Sequence, residues 1–184
     1  MTARIDPLAP PYDARVAEDL DKLMPPGVAP IALFRMLAKN PRVLRRIRRG
    51  GLLDPGSITL RERELIILRT TAKAGAEYEW GVHVAFFGAA AGFDAEQLHA
   101  TVWGGDDAAC WTDEERALVA ACDELHGSAR LGEETFRALR ARFSEEQVIE
   151  VLALAGQYRA IACLIHGAGL DPEEGAPRFP ARGE

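Results

Sequence analysis

In the stretch AEYEWGVH, residues 76–83, a carboxylate and an imidazole stand four positions apart, at Glu79 and His83. On a helix that spacing stacks the two side chains on one face, with Cβ atoms about 6 Å apart. A carboxylate beside an imidazole favours the imidazolium and fixes the ring's orientation, so the pair is equipped to donate and to accept a proton. A helix-stabilising Glu–His pair has the same spacing, and the spacing alone does not separate the two. Tyr78 and Trp80 bring a phenol and an indole N–H to the same stretch, while Glu77 falls at the helix start, where an acid suits the positive dipole end. A second carboxylate, Glu64, sits on a face reading Leu60, Glu64, Ile67, Leu68, Thr71, so it interrupts an apolar stripe. An acid in such surroundings is either a tuned proton donor or the partner of an arginine, Arg61 or Arg63.

These residues need helices to position them, and helical punctuation runs through the chain. Thr59, Thr112 and Ser144 each precede a Glu or Gln by three residues, the capping-box spacing that satisfies free amides at a helix start. Asp94 opens another helix just after Gly92 closes one. Helices are expected near 13–23, 30–39, 42–49, 60–74, 77–91, 95–103, 113–127, 133–142 and 145–167. Sustained alternation of period two is missing. The expected fold is all-α, one compact helical domain of about nine helices. Residues 1–29 read as an N-terminal extension carrying one helix, 30–170 as the helical domain, and 171–184 as a flexible tail.

With 184 residues, 48% hydrophobic and 27% charged, the chain suits one well-packed domain. A net charge of -6 argues against nucleic acid as a partner. The basic run RVLRRIRRGG, residues 42–51, spreads its arginines around a helix and reads as a solvated face whose late cations suit the dipole. The longest apolar stretch, near 148–165, is interrupted by Glu150, Gln157 and Arg159, so a buried helix is expected rather than a membrane span. The N-terminus has no signal-like apolar core, and a cytoplasmic location is the default expectation. Cys110, Cys122 and Cys163 form no CxxC pair, so neither a zinc site nor a disulfide framework is suggested.

The segments LRERELIILRTTAKAGAEYEWGVHVAFFGAAAGF and WTDEERALVAACDELH resemble the carboxymuconolactone decarboxylase family, which includes the alkylhydroperoxidase-D-like proteins. The resemblance implies an all-helical fold that assembles into homo-oligomers, as a dimer, trimer or hexamer. In the peroxidase branch a C-x-x-C-x-x-x-H motif follows an upstream glutamate. Laid over this chain, the histidine falls on His83, the glutamate on Glu64, the cysteines on Ala76 and Glu79, and the intervening histidine on Tyr78. Both sulfurs are missing, which removes the nucleophile and the disulfide of that mechanism. The decarboxylase branch uses neither metal nor organic cofactor. For this chain it implies a lyase acting on a small lactone or oxo acid, of the kind met in aromatic compound degradation. Glu79 and His83 would transfer the proton, Glu64 would relay, and Tyr78 and Trp80 would shape the substrate pocket. Two other readings remain open: a thiol peroxidase built on Cys122 or Cys163, and a non-catalytic helical oligomer that binds partners.

Overall fold

A computed structural model describes residues 3–50 and 52–182, so the extreme ends of the extension and of the tail, and Gly51 in the basic run, lie outside the described residues. The described chain is all-α. Its helices are α1 (Ala14–Asp21), α2 (Ala32–Leu37), α3 (Pro41–Arg49), α4 (Leu60–Lys73), α5 (Glu77–His83), α6 (Ala89–Ala91), α7 (Ala95–Trp103), α8 (Asp113–Ser128), α9 (Glu133–Arg140) and α10 (Glu145–Ala168). A π-helical turn, Val84–Gly88, joins α5 to α6, so the two form one rod from 77 to 91. Counted that way there are nine.

The expected caps form. Thr59, Asp94, Thr112 and Ser144 each accept from the backbone amide three residues on, and Glu62, Gln97, Glu115 and Gln147 return the bond. Gly92 ends the rod at φ 72°, a left-handed conformation that glycine adopts without Cβ strain.

Helix α4 is the centre of the molecule. It packs against α5, α7, α8 and α10, and every residue from Arg63 to Thr71 is buried. The polar residues among these are therefore obliged to find partners. Arg69 pairs with Asp123 at 2.6 Å and donates to the Thr101 carbonyl. Helix α10 is long and apolar enough to cross a membrane by composition. Its Val148, Val151, Leu154, Ile161 and Ile165 lie in the core, while Ile149 and Leu152 face outward.

The N-terminal extension is part of the same core, through Val16 and Leu20 of α1. The segment from Asp171, expected to be flexible, is instead a strap across α5. Glu173 accepts from the Tyr78 hydroxyl at 2.5 Å and from the Ala32 amide. The Phe179 amide donates to Glu77 at 2.9 Å, its ring stands edge-on to Trp80, and Trp103 donates to the Pro180 carbonyl. The polar, proline-rich composition that signalled disorder carries just enough anchors to dock. Gly81 makes the crossing possible, because a Cβ there would lie 2.2 Å from the Pro177 carbonyl oxygen. Replacing Gly81 with alanine should lift the strap. We expect a loss of about 1–3 kcal/mol in denaturant unfolding, the range for overpacking a close contact, together with faster proteolysis within 171–182.

Candidate active site

Glu64 is fully buried, and its two oxygens are divided between two cations. Arg63 approaches Oε1 through Nε at 2.9 Å and Nη2 at 2.8 Å, while Nδ1 of His83 donates to Oε2 at 2.7 Å. Of the two arginines named from the sequence, Arg63 is the partner. Arg61 instead binds Glu115 at 2.6 Å and the Gly92 carbonyl. The other imidazole nitrogen of His83, Nε2, stands 3.6 Å from Oε1 of Glu79. Glu64, His83 and Glu79, chosen from the sequence as one group, are thus brought together, each no more than 5% exposed.

The order Arg63–Glu64–His83–Glu79 ends on an open atom. Glu79 Oε2 is buried and has no hydrogen-bond partner among the described residues. Glu79 and His83 form part of the wall of a cavity of about 740 Å³, a size suited to a small organic ligand. Apolar side chains dominate this wall, among them Leu33, Phe34, Val82, Phe86, Phe87 and Ile161. The end of α1, the end of α3 and the loop that follows also border it, contributing Lys22, Arg48, Arg49 and Asp54.

Tyr78 and Trp80, expected to shape the pocket, do not line it. Successive residues of a helix turn by 100°, so when Glu79 and His83 face the cavity, 78 and 80 flank that face. The Tyr78 hydroxyl is tied to Glu173 and to the Leu33 amide, and Trp80 Nε1 donates to Thr101 at 3.0 Å. Both hold neighbouring elements in place. Arg49 is exposed, as a solvated face requires, and Arg48 is half-buried and reaches Asp19 of α1 at 3.8 Å; both also border the cavity. Tyr158 of α10 was not singled out. It lines the cavity and stands edge-on to His83, with ring centroids 5.0 Å apart. A lone tyrosine in the stripe Leu154, Tyr158, Ile161, Ile165 was the available signal. The cysteines lie elsewhere: Cys122 is buried with its thiol pushed up by burial, Cys163 is exposed, and neither lines the cavity.

Burial alone would push the His83 pKa down, but Glu64 and Glu79 overcome it and raise the value from 6.5 to about 9. The site therefore presents an imidazolium between two carboxylates at neutral pH. A raised folded-state pKa stabilises fully below the unfolded value and loses that contribution as pH climbs through the folded one.

The model of the carboxymuconolactone decarboxylase family matches residues 40–124, which span α3 to most of α8 and include Glu64, Glu79 and His83. No curated protein matches the sequence. Among solved structures, an uncharacterized peroxidase-related protein from Silicibacter sp. TM1040 is similar at TM-score 0.79 and 16% identity, over 95% of this chain and 93% of that one. A cysteine-to-alanine variant of the debrominase Bmp8, in complex with 2,3,4-tribromopyrrole, is similar at TM-score 0.78 and 17% identity, over 95% and 94%. The alkylhydroperoxidase AhpD core of an uncharacterized peroxidase-related protein from Ralstonia eutropha JMP134 follows at 0.75 and 17%, over 92% and 93%. At these identities the likeness concerns the fold.

Denaturation measured across pH should reveal the imidazolium. Through His83 the unfolding free energy should fall by on the order of 3 kcal/mol as pH rises from 6.5 to beyond about 9, and a His83→Gln variant should lack that part of the slope.

Proposed function

The chain belongs to the carboxymuconolactone decarboxylase family, and on that premise we propose that it is a cofactor-independent lyase acting on a small lactone or oxo acid. Glu79 and His83 are its acid–base pair, and Glu64 is their buried partner. One observation carries the reading: Glu79 Oε2 is a buried carboxylate oxygen without a partner among the described residues, on the wall of a ligand-sized apolar cavity, beside an imidazole held by a second carboxylate. An orphaned buried carboxylate oxygen is costly, and a protein core gains nothing from it; a substrate proton gives it a partner.

In the reaction, the bond between the substrate carbon and its carboxylate breaks and carbon dioxide leaves. The electron pair passes into the conjugated carbonyl as a dienolate. A proton then moves from the His83–Glu79 pair to carbon, and water restores it. Glu64 keeps the imidazole oriented and steadies its positive charge, with Arg63 offsetting the buried carboxylate in turn. Few waters compete in so apolar a cavity, which strengthens each of these interactions. Lys22, Arg48 and Arg49 on the cavity wall, offset in part by Asp54, suit a substrate that carries a carboxylate.

The same proposal includes self-association. Ile149, 67% exposed, and Leu152 of α10 leave an outward apolar face that a second copy would cover. Light scattering should then return a multiple of the 20.0 kDa chain mass.

Decarboxylation of carboxylated lactones is followed directly by carbon dioxide release. His83→Gln should lower turnover by about 10²–10⁴-fold, the share of a positioned acid–base group, while circular dichroism shows the helices intact. The triple cysteine-to-serine variant should keep full activity. An undiminished rate in the histidine variant would remove His83 from the mechanism, and a loss in the cysteine variant would restore the thiol reading.

A further inference from the structure

The proton-transfer pair leaves one polar group of the cavity wall without a task. Tyr158 is 2% exposed, its side chain lines the cavity, and its hydroxyl has no hydrogen-bond partner among the described residues. A buried tyrosine normally places its O–H on an acceptor. Here the cavity is where that acceptor must come from. The ring is held edge-on to His83, with centroids 5.0 Å apart, so the phenol stands beside the imidazole on the cavity wall that Glu79 also lines.

We propose that Tyr158 is a catalytic residue that donates its O–H to the substrate oxygen on which negative charge collects. The inference rests on the proton-transfer reading above and supplies what that reading lacks. Glu79 accepts and His83 is committed to the two carboxylates, while Lys22, Arg48 and Arg49 are assigned above to the substrate's carboxylate. Something beside the pair must face the developing dienolate oxygen. A phenol is suited to this next to two carboxylates, because it donates without adding charge. Burial, then the charges of Glu79 and Glu64, push its ionisation well above the ordinary tyrosine range, so the O–H persists across the working pH. The balance is simple. Carbon dioxide carries away the carboxylate carbon, its bonding electrons end on the carbonyl oxygen, Tyr158 hydrogen-bonds that oxygen and keeps its own proton, and the proton that reaches carbon comes from the His83–Glu79 pair. The bond strengthens as charge grows, so it favours the transition state over the substrate.

Tetronate, the enolate of a five-membered lactone, mimics the charged oxygen without being turned over. Calorimetric titration into the wild type and a Tyr158→Phe variant should show about tenfold or greater weakening in the variant, as expected when a hydrogen bond to a charged acceptor is lost. The unfolding midpoint should hold, since the removed hydroxyl has no partner among the described residues. A measurement on the unaltered chain is independent of the variant. With only 3 tyrosines, ¹³Cζ labelling gives few resonances, and that of Tyr158 should move on adding tetronate while Tyr12 and Tyr78 stay. Equal affinity in the two proteins, a static Tyr158 signal, or no tetronate binding by the wild type overturns the proposal. Turnover that depends on His83 alongside any of these results leaves the proton-transfer reading standing; tyrosine-dependent tetronate binding with undiminished turnover in His83→Gln removes that reading and keeps Tyr158 as the group that binds an oxyanion.

Discussion

A carboxylate with no exposure at all cannot stand in a helical core unaided, and the contact between Glu64 and His83 is where this molecule meets that constraint. The 2.7 Å bond sets how α4 and α5 lie against each other, because Glu64 and His83 must meet across the gap between the helices. Arg63 closes the other oxygen of Glu64 and then reaches the Leu53 carbonyl, so the loop leading into α4 is drawn to the same centre. Once those registers are set, Glu79 and Val82 have only one direction to face, and the cavity forms on that side.

The cavity is lined from two parts of the chain. Helices α5 and α10 contribute Glu79, His83 and Tyr158, with Glu64 of α4 behind the imidazole. The N-terminal helices α1 to α3 supply the cover, with Leu33 and Phe34 as apolar lining and cations at the ends of α1 and α3. Lys22, Leu23, Met24 and Pro25 of the extension thus border the cavity. On the flanks of the α5 cavity face, Glu77, Tyr78 and Trp80 hold the strap and Thr101, so every side of this short helix is fastened. Such over-determination suits a helix that must hold an imidazole between two carboxylates.

Much of this was legible from particular residues. The capping boxes at Thr59, Thr112 and Ser144 marked three of the longest helices, since a cap is satisfied within four residues and depends on nothing distant. Glu64 as a break in an apolar stripe, and Glu79 with His83 at helical spacing, named the group that the fold assembles. Helical phase alone would also have turned Tyr78 and Trp80 away from Glu79, had it been weighed above their chemical type.

Other features had no local trace. Tyr158 meets His83 across 75 positions of chain, Glu173 reaches Tyr78 across 95, and Arg48 and Arg49 border a cavity whose other lining comes from distant segments. Bonds within a turn of helix are written in adjacent residue types, so the sequence settled where helices begin, which faces are apolar and where acidic and basic side chains interrupt them. Which of those side chains share a cavity, and what covers it, followed from packing around a single buried ion chain. That packing is a balance struck over the whole core, and no short window of sequence contains it.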